Sequence, residues 1–341
     1  MKKKIGSILK FLFFLGIGIL LIWLAVRGLS EEDKTSIGRA FTEADYFWIF
    51  ISVVLSALSH VSRAIRWRIL IQPLGFNPKL SNTFFALMVG YLANMALPRL
   101  GEVSRCGVLT KYEKIPFTEG FGTVIAERAI DVLCLIVIFI GALVFQFEEL
   151  WTLTNDKILS PLTLKLSSML HSNLFIAVFA VVMIAVTVSF FIFQKKSKGV
   201  FSKKIKNIAI GFWDGLKSVK NIKRPYLFIF HTIVIWFLYT ALLYVGFFCF
   251  PETSQLTFGA ALAIMLFGSL GIAFVPGGTG AYQALVTETM TAAYKTPFTY
   301  AFAFSWLIWT SQFVLILLLG VISLVLLPIL NKEVKKEAVT L

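Results

Sequence analysis

The densest group of residues able to bind or move charge lies in "LPRLGEVSR" and "VIAERAID", which supply Arg99, Glu102 and Arg105, then Glu127, Arg128 and Asp131. On a helix Glu127 and Asp131 are i,i+4 neighbours and Arg128 and Asp131 are i,i+3, so these charges can form one cluster. Near a bilayer interior each such group costs at least about 2.5 to 3.5 kcal/mol, so it must face a partner or a wet cavity. Two roles are open. Arg99, Arg105 and Arg128 can receive a phosphate, because a planar guanidinium binds it bidentately while the acids keep it oriented. The same set can instead be an internal ion-pair network that pins neighbouring segments together. Upstream, "HVSRAIRWRIL" places Arg63 and Arg66 at i,i+3 beside Trp67. Snorkelling arginines with an interfacial Trp are the ordinary meaning of such a stretch, and headgroup capture is the sharper one.

A second constellation is "FVPGGTGAYQALVTE", where Pro276, Gly277, Gly278 and Gly280 interrupt an apolar segment and the carboxylate Glu288 follows. Its glycines are no nucleotide loop, since no βαβ strand precedes them and no Lys-Ser/Thr follows. Open N–H groups at the start of the next helix can still hold an anion. "NMALPRLGEVSR" carries a comparable break at Pro98 and Gly101. His60, His171 and His231 match no ligand spacing, and Cys106, Cys134 and Cys249 are odd in number and far apart, so no metal, disulfide framework or cofactor is expected.

The elements that position these residues follow from composition. With 58% hydrophobic and 15% charged residues and a mean hydropathy of +0.83, the chain reads as an all-α polytopic membrane protein. Apolar runs long enough to cross as helices fall at about 9–27, 46–62, 122–146, 173–193, 226–249 and 300–328. The basic start resembles a signal peptide, but its apolar core is long and no cleavage site follows, so a retained first span is expected. The stretches between spans are too short for a soluble catalytic domain.

The net charge of +14 is a topology signal rather than a sign of nucleic-acid binding. Residues 195–224 carry Lys and Arg with Asp214 as their one acid, which makes that loop cytoplasmic, whereas the acidic loop at 147–172 belongs outside. Both termini, including the tail 329–341, are then cytoplasmic, in the cell inner membrane. Within 200–220 an apolar stripe (Phe201, Ile205, Ile208, Phe212, Leu216, Val219) with lysines between predicts an amphipathic helix on anionic inner-leaflet lipids. Leu159, Leu162, Leu166 and Leu170 predict a short interfacial helix on the outer side.

Two broken segments, 82–112 and 256–294, are read as re-entrant, because the limb "AYQALVTETMTAAYK" is polar and too short to span. The order span, span, re-entrant element, span then occurs twice with opposite orientation, at 1–146 and 173–328. Six full spans plus two re-entrant elements in an inverted-topology repeat is an arrangement of secondary transporters and flippases. The alternative is that both breaks are ordinary kinks.

"SRAIRWRIL", "ANMALPRLGEVSR", "AERAIDV" and "FVPGGTGAYQALVTE" together resemble the flippase-like transmembrane region of the lysylphosphatidylglycerol synthase/flippase family, over nearly the whole chain. In that family the region moves an aminoacylated phospholipid between leaflets, after a separate cytosolic domain has made it from aminoacyl-tRNA. The sequence ends at "NKEVKKEAVTL", soon after the last apolar run, so aminoacyl transfer is not expected and the cargo widens to another phospholipid or a polyprenyl-linked sugar. The resemblance implies a lipid translocator rather than an enzyme. Its headgroup cavity would be lined by Arg99, Glu102, Arg105, Glu127, Arg128, Asp131 and Glu288, with Arg63 and Arg66 as further phosphate-binding candidates. A membrane glycosyltransferase and a small-solute carrier are the competing expectations.

Overall fold

The computed structural model describes residues 31–96, 99–145 and 220–331. Among them the chain is helical, with no strands: α1 (Glu31–Glu43), α2 (Tyr46–Ile71), α3 (Leu80–Ala96), α4 (Leu100–Glu113), α5 (Phe117–Phe145), α6 (Pro225–Gly246), α7 (Pro251–Ser254), α8 (Phe258–Phe274), α9 (Ala281–Ala292) and α10 (Phe298–Leu330). Among the described residues three stretches are long and apolar enough to cross a membrane, Tyr46–Leu74, Pro225–Cys249 and Phe298–Leu330. The expected span at 9–27, the outer loop 147–172 with its interfacial helix, the span 173–193, most of the basic loop 195–224, the end of the tail and Pro98 lie outside the described residues.

Local chemistry sets the helix starts. Asp45 caps α2, its carboxylate accepting from the Phe47 amide at 3.0 Å, and Thr257 caps α8 through the Ala260 amide at 3.3 Å; each side chain satisfies an amide that has no carbonyl partner within the helix. Pro225 occupies the first turn of α6, where its missing N–H is not needed. Outward faces are apolar at helical spacing: Phe50, Val54, Leu58 and Val61 on α2, Ile229, Ile233 and Phe237 on α6, Leu317, Val321 and Leu324 on α10. Such stripes match a hydrocarbon solvent. α5 is also exposed and apolar at Leu133, Ile136, Val137 and Ile140, beyond its charged first half.

Two boundaries differ from expectation in an informative way. α2 does not stop at 62 but continues to Ile71, because its arginines are neutralised inside the protein and so do not end the helix. α5 starts at Phe117 rather than 122, directly after Pro116.

The breaks divide each apolar run into a hairpin. α3 packs along α4, and α8 along α9. Lipid tails are as apolar as Leu, so close backbone approach takes over much of the role of the hydrophobic effect here. Glycines supply it at corresponding places: a Cβ on Gly90 would lie 2.9 Å from the Gly101 carbonyl, and a Cβ on Gly271 would lie 2.8 Å from the Tyr282 backbone. At the tip of the second hairpin Gly277, Gly278 and Gly280 all have positive φ, a turn that only glycine enters freely. The two hairpins meet, since the 276–278 turn packs against α3, and α10 lies against both α3 and α9. α2 and α6 run side by side.

Candidate functional site

α2 presents Arg63, Arg66 and Trp67 on one face, and α5 presents Glu127 and Asp131 one turn apart. α2 and α5 pack together, and α4 adds Arg105. Arg63 gives its Nε to Glu127 at 2.9 Å and an Nη to Asp131. Arg66 reaches Asp131 at 2.7 Å and Glu127 at 3.2 Å. Arg105 donates to the other Glu127 oxygen at 2.8 Å. One carboxylate thus holds three guanidinium groups.

All five groups are buried: Arg66 and Glu127 are 0% exposed, Arg105 2%, Arg63 6% and Asp131 8%. The snorkelling expected of Arg63, Arg66 and Trp67 is therefore wrong. Trp67 is fully buried, its indole N–H donates to Thr123 at 3.0 Å, and the Arg105 guanidinium stacks 4.6 Å above its ring. Taking an ion out of water costs several kcal/mol unless it is paired and hydrogen-bonded, so these side chains turn inward to one another rather than out to the interface. The cluster also ties in the second half, because Arg63 donates to the Tyr239 hydroxyl of α6 at 3.1 Å.

At the edge of the cluster pairing becomes incomplete. Arg128 has a side chain 39% exposed and its Nε stands 3.8 Å from Glu102, an ion-pair approach too long for a hydrogen bond. Among the described residues Arg66 Nε and Nη1, Arg105 Nη2, Arg128 Nε and one Glu102 oxygen are buried without a hydrogen-bond partner. Four arginines against three carboxylates leave an excess of positive charge with N–H donors to spare. Arg99 is exposed, at the αL residue that opens α4 (φ 63°).

The second break is differently built. The Gly280 amide donates to Gln283 Oε1 at 2.8 Å, and Trp309 of α10 donates to the Gly277 carbonyl at 2.7 Å, which fixes the turn. In the first break Asn94 performs the matching task, accepting from the Gly101 amide at 2.7 Å. Glu288 is exposed on α9 and is not one of the buried charges. Metal-holding groups of His, Cys, Asp and Glu are absent among the described residues.

Several polar residues of this interior were not expected. His60 is 5% exposed, stands 3.5 Å from the Ser56 hydroxyl and packs its ring 5.2 Å from Tyr91. Ser62 shares a 2.8 Å hydrogen bond with His231 of α6. The signal was present: Ser52, Ser56, Ser59, Ser62, Arg63 and Arg66 form one polar stripe on an otherwise apolar helix, and a polar stripe in a span marks an inward face.

These features define an all-helical integral membrane protein with broken hairpins and a buried charge cluster. The chain belongs to the family described as the lysylphosphatidylglycerol synthase TM region, which it matches over residues 7–320. It is similar to UPF0104 membrane protein MJ1595 of Methanocaldococcus jannaschii, with 26% identity over 98% of this chain and 97% of that protein. A partial likeness links it to Glycosyltransferase AglD of Haloferax volcanii, at 27% identity over 34% of this chain and 19% of that protein. No solved structure matches the chain.

Proposed function

We propose that the protein is a lipid translocator of the cell inner membrane, moving a phospholipid or other lipid-linked headgroup between leaflets. The observation that carries this reading is the arginine series: Arg99 is exposed at the first break, Arg128 is part-exposed at the edge of the cluster, and Arg105 and Arg66 within it keep unpartnered N–H donors. A phosphate entering there meets a net positive, hydrogen-bond-donating path, while acyl chains stay against the apolar outer faces. Glu127 and Asp131 orient the arginines, and Glu102 competes with the headgroup for Arg128.

The twofold recurrence of long helix, broken hairpin and long helix supports an inverted-topology repeat, with each hairpin re-entrant and the tips meeting at membrane depth. On this reading both termini are cytoplasmic, the basic segment 195–224 rests on anionic inner-leaflet lipids, and the protein transports rather than catalyses.

The test is reconstitution in liposomes with fluorescently labelled phospholipids of several headgroups, read by leaflet exchange. Wild type should exchange an anionic phospholipid, and Arg128→Gln and Arg99→Gln should slow it while the detergent-solubilised protein keeps its melting temperature. Exchange unchanged in both variants would remove the arginine series from the path. The likeness to Glycosyltransferase AglD favours a second reading, sugar transfer within the membrane, against which stands the engagement of both buried carboxylates by arginines. Release of sugar from a lipid-linked donor by the purified protein would establish that reading instead.

A further inference from the structure

The buried face of α2 carries a row of polar groups that runs up to the arginines of the headgroup path, and its serines and His60 take no part in that path. Ser52, Ser56, Ser59, His60, Arg63 and Arg66 follow one another at steps of one, three and four residues and are all buried, while Phe50, Val54, Leu58 and Val61 cover the opposite face. At about 1.5 Å per residue the row from Ser52 to Arg63 covers roughly 16 Å, about half of a hydrocarbon core near 30 Å thick. Ser59 bonds its own helix, donating to the Ser56 carbonyl at 2.7 Å. Ser52 and His60 are less engaged. Ser52 Oγ, His60 Nδ1 and the Tyr91 hydroxyl are each buried without a hydrogen-bond partner among the described residues, on two helices that pack together. Buried polar atoms without a protein partner are commonly satisfied by ordered water where a polar site has room for it.

We propose that this row is a water-threaded proton path from the Tyr46 end of α2 to the Arg63–Glu127–Asp131 cluster, with His60 as the relay and lipid movement driven by a proton gradient. His60 is suited to relaying because one ring nitrogen faces Ser56 and the other is unengaged, so a proton taken on one side is released from the other. Beside it are Arg63 on its own helix and Tyr91 on α3, and the helices packed against α2 also carry Glu127, Arg128, Asp131 and Cys134 on α5 and His231 and Tyr239 on α6. Cys249 lies in the turn after α6, and α10 contributes only Tyr300 among its titratable residues. A proton delivered to Asp131 cancels one of the two charges that hold Arg63 and Arg66, leaving Glu127 in place, and frees for a headgroup phosphate the N–H groups that pointed at Asp131. The proton leaves when the carboxylate takes the arginines back.

This inference rests on the translocator reading, and its test separates the two. Full-length protein is placed in liposomes with a trapped pH-sensitive dye and fluorescent phosphatidylglycerol, and an outside pH step is applied. Wild type should admit protons and exchange lipid faster with the gradient than without it. Tyr91→Phe keeps the ring against His60 and removes only an unpartnered hydroxyl, so it should fold at least as well as wild type and yet lose the proton-driven component, as should His60→Gln. Lipid exchange indifferent to the gradient, with no lumenal pH change, would overturn the proton path and leave translocation standing. Wild-type proton entry in both variants would overturn the assignment to this row. Proton entry is read by the dye whether or not any lipid moves, so a failure of lipid exchange alone counts against translocation and not against the path.

Discussion

Lys114 and Lys295 occupy the same place in the two halves of the protein. Both take the left-handed conformation, with φ of 57° and 55°, and both open the sequence Lys-x-Pro-Phe-Thr. In each case the helix begins at the Phe of that sequence, α5 at Phe117 and α10 at Phe298, and this Phe stacks on another one turn later, Phe117 on Phe121 at 5.8 Å and Phe298 on Phe302 at 5.7 Å. Each hairpin is thus joined to its following long helix by one and the same corner.

The corner makes a prediction about the backbone. A β-branched residue crowds its own carbonyl at positive φ, so Lys114→Val and Lys295→Val should each destabilise by about 1–2 kcal/mol. Glycine at either site should be tolerated. Thermal melting in detergent would check whether the two halves respond alike.

Glu127 is the keystone of the charge cluster, and Glu127→Gln would leave Arg63 and Arg66 on Asp131 alone and Arg105 without a carboxylate partner. The expected loss is about 3–5 kcal/mol, the cost of breaking a buried pair from one side. Combining it with Arg105→Met removes one of the stranded charges and should recover part of the melting temperature. No recovery would mean that Arg105 is held by Trp67 rather than by Glu127.

Close approach in the hairpins gives a third test. Gly90→Ala and Gly271→Ala push a methyl into backbone that cannot yield, and each should cost about 1–3 kcal/mol. Gly107, on the same hairpin as Gly90, has nothing within 4 Å of its would-be Cβ. Gly107→Ala should be neutral or stabilise by about 0.5–1 kcal/mol through helix propensity.

The indole of Trp309 offers a fourth. Trp309→Phe keeps an aromatic ring beside Phe313 and removes the donor to the Gly277 carbonyl. A loss of about 0.5–1.5 kcal/mol is expected, together with faster amide exchange at 277–280, measured by hydrogen–deuterium exchange. Unchanged exchange there would show that the glycine turn is held by Gln283 and by packing on α3 without the indole.

Some of this was legible in the residues and some was not, for physical reasons. The i,i+4 carboxylates of "AERAID" and the i,i+3 arginines of "SRAIR" were visible, and so were the Pro/Gly breaks. Their pairing was not, because an arginine near the end of an apolar run is equally compatible with snorkelling, and nothing local says that α5 comes to meet it. The serine row on α2 would have decided the matter, since a snorkelling stretch has no need of buried hydroxyls deeper in the span. Tyr91 and Tyr239 were invisible as site residues, because a tyrosine in an apolar helix looks the same whether it faces lipid or an arginine. Glu288 was singled out for its rarity at depth, but its equivalent in the first hairpin, counted from the shared corner, is the exposed Gly107. The corner itself is readable by comparing the chain with itself, as the repeated Lys-x-Pro-Phe-Thr.

Matching the halves at that corner sets Glu127 opposite Ile308 and Arg105 opposite Val286, both buried and apolar. The two stretches that follow the same corner therefore carry different groups in their interiors. At these positions the first is joined by ion pairs, whereas Ile308 packs on Gly246 and Val286 on Gly268 by van der Waals contact. A change of side-chain shape alone is felt most at the second of these seams, and a change of charge at the first.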